Sequence, residues 1–185
     1  MAIATTKNGD LNPIKGKYPD CYIQIGTQSI YMDILPDISD GKNVGYQTEG
    51  GIGRASPFNI FKYSEIRTVG WTCHFIVQKN NSNEDSKSVS VNKILRNIRL
   101  IQSACYPEDE YGKPPPICRL KCGDLLDEGD GICAVLKSYS IKFDTSVPWD
   151  ETTLLPYKID VDLQFDVVYD QSDLPVSKKI VDFGY

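Results

Sequence analysis

Residues 158–170 read Lys-Ile-Asp-Val-Asp-Leu-Gln-Phe-Asp-Val-Val-Tyr-Asp, an alternation of apolar and polar side chains with the period of a β-strand. Successive strand side chains point to opposite faces. Ile159, Val161, Leu163, Phe165, Val167 and Tyr169 therefore share one side, and Asp160, Asp162, Gln164, Asp166 and Asp170 the other. One face is expected to enter a core. The other is either an ordinary solvated sheet face or a surface that something moves past.

A second segment repeats the pattern. In residues 66–78, Val69, Trp71, Cys73, Phe75 and Val77 fall on one face, and Thr68, Gly70, Thr72, His74 and Gln78 on the other. Residues 131–143 alternate as well, with Cys133, Val135, Tyr139, Ile141 and Phe143 set against Ile132, Ala134, Leu136, Ser138, Ser140 and Lys142. The first half of that run is apolar on both faces, which predicts a central strand. Between the second and third strands, Val91, Ile94, Leu95, Ile98, Ile101 and Cys105 keep the spacing of an amphipathic helix, with Ser90 as its expected cap and Pro107 as its stop. Lys93, Arg96 and Arg99 lie off the stripe and read as a solvated face.

The remaining segments read as short strands and connections. Residues 21–25 and 28–35 flank Gly26-Thr27 and predict a hairpin. Residues 36–64, rich in Gly, Asp, Asn and Ser around Gly50-Gly51-Ile52-Gly53, read as a long loop reaching a neighbour, with one strand near 57–63. Residues 117–121 read as a brief strand after the stiff Pro114-Pro115-Pro116 run. The organisation expected is an N-terminal arm (1–20), a mainly β domain with one flanking helix (21–170) and a C-terminal extension (171–185). In the core, Trp71, Phe75, Ile141 and Phe165 are expected to pack on the helix stripe that includes Ile94 and Ile98.

Charge and chemistry narrow the function classes. With 25 acidic and 20 basic residues, the formal net charge of −5 gives no general attraction to nucleic acid or an anionic membrane. The polar N-terminus carries neither a secretory signal nor a membrane span, so synthesis in the cytoplasm and free thiols are expected for the six cysteines. Asn80-Asn81-Ser82 matches a glycosylation acceptor, which carries no weight without secretion. The single histidine, His74, sits on the polar face of a strand with no Ser or Cys partner suggested by spacing, which argues against catalysis. Cys118, Cys122 and Cys133 with His74 make a poor zinc set, because Cys118 and Cys122 flank a strand where a tight turn is needed. Gly50-Gly51-Ile52-Gly53 lacks the following helix and Lys-Ser/Thr pair of a phosphate cradle. No cofactor or metal is expected.

The order of motifs resembles a known family. Arg67-Thr68-Val69-Gly70-Trp71-Thr72-Cys73-His74-Phe75, then Gln102-Ser103-Ala104-Cys105-Tyr106-Pro107 closing the helix, is similar to the middle of the tail-tube family of contractile-tailed bacteriophages. The stretch from Pro114 through Ile117-Cys118-Arg119-Leu120-Lys121-Cys122-Gly123-Asp124 to Ala134-Val135-Leu136-Lys137-Ser138-Tyr139-Ser140-Ile141, then Pro148-Trp149-Asp150-Glu151 and the 158–170 strand, resembles the tube-like domains of baseplate proteins that start the tail tube. The resemblance spans roughly residues 20–175. It implies a tail-tube-like β-barrel or sandwich with one flanking helix, six copies in a ring whose sheets join into a continuous inner barrel, and no catalysis. The partners it implies are further copies of the chain, adjacent tube and baseplate hub proteins, the tape-measure protein, and DNA passing through the lumen without specific binding. The implied location is the virion tail.

On that footing Thr68, Thr72, His74, Asp160, Asp162, Gln164 and Asp166 are expected to line the channel, where carboxylates repel DNA phosphates. The role could be that of a tube initiator or adaptor, or of the major tube subunit. Two readings from other classes stand beside it: a carbohydrate- or ligand-binding β-domain in which the acidic face and Trp149 contact a sugar, and a small metal-stabilised module.

Overall fold

The computed structural model describes residues 17–53, 55–77, 84–126, 129–151 and 154–170. Most of the arm, the 171–185 extension, Gln78 and the Asn80-Asn81-Ser82 site lie outside the described residues. Eleven strands and one helix form the described fold: β1 Tyr18–Ile25, β2 Gln28–Met32, β3 Asp37–Gly41, β4 Val44–Glu49, β5 Phe58–Ser64, β6 Thr68–Ile76, α1 Glu84–Ser103, β7 Cys118–Cys122, β8 Ile132–Lys142, β9 Trp149–Asp150, β10 Leu155–Pro156 and β11 Lys158–Val167. The arm is shorter than expected, because β1 already begins at Tyr18.

Seven strands make one antiparallel sheet in the order β2-β1-β7-β8-β11-β6-β3. Two of its long alternating strands, β6 and β11, pair from Lys158 opposite Ile76 to Asp166 opposite Thr68. The chain is mainly β, as expected, but the sheet does not close into a barrel. Its outermost strands, β2 and β3, are five residues each and are paired on one side only.

One face of the sheet is apolar. Ile23, Ile30, Met32, Val69, Trp71, Cys73, Leu120, Ile159, Val161, Leu163 and Phe165 are all but sealed from solvent. Ile94, Ile98, Ile101 and Ala104 of the helical segment join the same core. Fully burying side chains of this size stabilises the fold by about 1.5–3 kcal/mol each, and the sheet face and helix stripe supply each other's cover. Trp71, Phe75, Ile94, Ile98 and Phe165 sit where the pattern puts them, whereas Ile141 is only half-buried at the margin of the core. The Trp71 Nε1–H is buried and makes no hydrogen bond of regular geometry among the described residues.

Four expectations are corrected. The helix starts at Glu84, six residues before the expected Ser90 cap. Lys93 and Arg96 are not merely solvated. Lys93 Nζ pairs with Asp33 at 2.6 Å and Arg96 donates to the side chain of Gln28 at 3.4 Å, tying the helix to the β1–β2 hairpin. The 36–64 segment is not one long loop: the strand expected near 57–63 is present as β5, but the segment also holds β3, which joins the sheet edge, and β4, which pairs with β5 in a hairpin of their own.

The fourth correction concerns β8. Gln164 of β11 pairs with Ser138 and Phe165 with Leu136, leaving Lys137 as a bulged extra residue. A bulge reverses the facing of everything beyond it. Ile132, Ala134 and Leu136 therefore share the core side with Tyr139 and Ile141, while Cys133 and Val135 turn to the polar side. The central position expected for this strand is correct, since β8 is the fourth of seven.

At the Gly26-Thr27 hairpin, β1 and β2 pair up to Ile25 opposite Gln28, so the turn has two residues. Gly26 takes φ +58° and Thr27 does not share a positive φ, the pattern of a type II′ turn with glycine first.

Candidate functional site: the charged face of the sheet

The face opposite the core is built by the alternation that built the core. The β6–β11 register sets Asp160 opposite His74, Asp162 opposite Thr72, Gln164 opposite Gly70 and Asp166 opposite Thr68. All seven expected lining residues, Thr68, Thr72, His74, Asp160, Asp162, Gln164 and Asp166, thus occupy one face across two adjacent strands. Gly70 is a notch in that face. A Cβ added there would collide with Ser39 Oγ of β3 and approach Gln164 Nε2 at 3.3 Å, so any side chain at residue 70 would force these two side chains to move.

The carboxylates are not bare. Asp160 Oδ1 meets His74 Nδ1 at 2.6 Å, and its other oxygen accepts from Lys158 at 2.9 Å. Asp162 accepts from the Thr72 hydroxyl at 2.8 Å and from Lys142 at 2.6 Å. Asp166 accepts from Lys137, the bulged residue, at 3.2 Å. On the edge side, Asp37 of β3 meets His74 Nε2 at 3.2 Å. The result is a lattice of alternating charge rather than an acidic strip.

His74 stands between two carboxylates, one on each ring nitrogen. An imidazolium can donate to both, whereas the neutral ring can donate to only one. The hydrogen bond to Asp160 raises the His74 pKa above its usual value of 6.5; partial burial opposes the shift and Asp37 reinforces it. For Asp160, partial burial pushes the carboxyl up, but the hydrogen bonds from His74 and Lys158 together outweigh it and hold the group below its usual 3.8. Asp162 is held low by Lys142 first and Thr72 second, and Lys142 is raised in turn by Asp162.

The alternation finds the aspartates and most of their partners, but not Lys137 or Asp37. Lys158 lies two residues before Asp160 on the same strand, a spacing that places it on the same face, and Lys142 belongs to the polar half of the 131–143 alternation. Lys137 reaches the face only through the bulge, and Asp37 only because the supposed loop is a strand.

A second surface lies on the β4–β5 hairpin, whose side chains belong to no part of the buried core. Its register gives one face Tyr46 against Phe61, rings edge-on with centroids 6.1 Å apart, beside a Thr48–Asn59 hydrogen bond of 2.8 Å. The other face carries Ile60 and Tyr63, whose ring lies over Gly45. Tyr46 and Phe61 are 61% and 57% exposed. Both faces of the two-stranded ribbon thus carry large apolar side chains open to solvent, interleaved with polar ones.

The elements of the other two readings are not brought together. Trp149 Nε1 donates to the backbone carbonyl of Asp144, five residues earlier in the chain, at 3.1 Å. A hollow of about 270 Å³ at the end of the sheet is lined by Gln24, Gly26, Ile117, Cys118, Arg119 and Cys133, and includes neither Trp149 nor an aspartate of the charged face. Cys118 is buried on the core side while Cys133, opposite Arg119, faces the other way, so the two cannot share a metal ion with His74. Among the described residues no group of three or more His, Cys, Asp and Glu side chains is placed to hold a metal, and no described helix is long and apolar enough to cross a membrane. No protein-family model matches the chain, and the comparison with curated proteins finds no match.

Proposed function

We propose that this chain is a structural, non-catalytic subunit of a contractile phage tail, forming a hexameric ring of the tail tube at the baseplate as initiator or adaptor. The major tube subunit is the nearest alternative role. The motif order supplies the family reading. The observation that carries self-assembly is the β4–β5 hairpin, with large apolar side chains open to solvent on both faces and outside the core. An isolated hairpin is marginal in water, and exposed apolar surface of this kind marks a contact site. The occupant assigned to it is a neighbouring copy of the chain. The one-sided pairing of β2 and β3 fits the same reading, because joining edges around a ring removes the exposed ladders that otherwise invite aggregation.

In this reading the Asp160, Asp162 and Asp166 face lines the lumen. The pairing of each carboxylate with a lysine refines the non-stick logic: a cation already held by an aspartate is poorly available to a DNA phosphate, and the wall holds DNA and the tape-measure protein weakly. Electron microscopy of the concentrated full-length protein tests assembly. Sixfold rings or stacked tubes are expected, and Tyr46→Ser with Phe61→Ser should abolish them. Rings that persist in the double variant would overturn the role given to the hairpin; a glycan-binding monomer that forms no rings would overturn the whole reading.

A further inference from the structure

Two thiols meet across neighbouring strands. Cys21 of β1 and Cys122 of β7 are direct partners in the antiparallel ladder, with Sγ atoms 3.4 Å apart, although 101 residues separate them in sequence. The Gly123 N–H donates to the Asp20 carbonyl at 2.9 Å, just outside this pair. A bond in that position makes Cys21 and Cys122 a non-hydrogen-bonded pair, the kind whose Cα atoms come within about 4.5 Å and whose side chains lie closest. That spacing falls inside the range of about 4.4–6.8 Å in which disulfides form.

We propose that Cys21 and Cys122 are a redox modification site, forming a disulfide within one subunit on contact with a small-molecule disulfide. The strands are already in register, so bond formation needs only side-chain rotation. Cys122 is half-buried and reachable, whereas Cys21 is 3% exposed. Burial also holds the Cys21 thiol well above its usual pKa, with the Cys122 hydrogen bond adding to the shift. Cys122 therefore reacts first. Its thiolate attacks one sulfur of the oxidant and expels the other as a thiolate, leaving a mixed disulfide on Cys122. Cys21 then gives up its proton and attacks the Cys122 sulfur, expelling the second small thiol. Two protein thiols become one disulfide, and one oxidant disulfide becomes two thiols.

The remaining cysteines are placed differently. Cys133 faces the polar side, and Cys73 is sealed in the core with its thiol pushed up to about 12 by burial. The test is incubation of the native full-length protein with oxidised glutathione, blocking of free thiols, and mass spectrometry. The expected product has lost two of its six free thiols and two hydrogens, with tryptic peptide 18–42 joined to 122–137 and fragmentation placing the link on Cys122 rather than Cys133. Cys133→Ser should behave as the parent; Cys122→Ser should form no link and Cys21→Ser should stop at a glutathione adduct on Cys122. Six thiols that all remain free would overturn the proposal. So would a persistent glutathione adduct on the parent protein, or a link to another cysteine or to a second copy of the chain.

Discussion

His74 is the residue whose environment most directly reports the state of the charged face. Its raised pKa means that the pairing with Asp160 and Asp37 contributes fully below the unfolded value of 6.5 and is lost as pH rises through the folded value. The lowered pKa of Asp160 sets the other limit: its contribution is present above 3.8 and lost as pH falls through the folded value. The gain is therefore greatest between about pH 4 and 6.5. Thermal unfolding of the parent and His74→Asn across pH should show the largest gap in that window, about 1 kcal/mol after allowance for partial exposure. A gap that widens above pH 8 would contradict the assignment. Gly70 makes a different kind of prediction. Gly70→Val drives a side chain into Ser39 and Gln164, and should cost about 1–3 kcal/mol in denaturant unfolding, with hydrogen-exchange protection lost first in β3.

Among the elements, β8 shows where reading by pattern succeeds and where it stops. The paired alternations of β6 and β11, the helix stripe and the Gly26-Thr27 turn are legible in the sequence because each follows one period without interruption. The run from Ile132 to Lys142 does not. Its two halves bury opposite parities, and nothing in a simple alternation marks Lys137 as the residue where the phase changes. Of the strands within 36–64 only β5 is legible; β3 and β4 escape notice because Asp-Ile-Ser-Asp-Gly and Val-Gly-Tyr-Gln-Thr-Glu are short, mostly polar runs with few apolar side chains to mark a face. On the candidate site, the aspartates are legible, as are Lys158 and Lys142 by strand parity, whereas Lys137 is not. The bulge yields a sharp comparison. Lys137→Ala removes only a mostly exposed ion pair with Asp166 and should cost no more than about 1 kcal/mol. Deleting Lys137 should likewise leave the chain folded in circular dichroism, because without the extra residue Leu136 and Tyr139 fall two positions apart and one alternation runs through β8 with the same side chains facing the core.

For the molecule as a whole, three features support the proposed assembly: an open sheet with short edges, a hairpin with exposed apolar side chains on both faces, and a polar face whose carboxylates pair within the chain. A domain acting alone gains little from any of them. In a ring each finds a use, with the edges joining neighbouring sheets, the hairpin covered by a second copy and the charged face turned to a lumen. Loss of the hairpin's aromatic pair should therefore separate assembly from folding, because Tyr46 and Phe61 lie outside the core. Size-exclusion chromatography of the Tyr46→Ser, Phe61→Ser protein should show folded monomer under conditions in which the parent assembles. The central claim is which way the charged face points. A cryo-microscopy map of the assembled ring should show six copies with Asp160, Asp162 and Asp166 directed at the axis and the β4–β5 hairpin seated on a neighbour; a ring with those carboxylates on its outer wall would contradict the account.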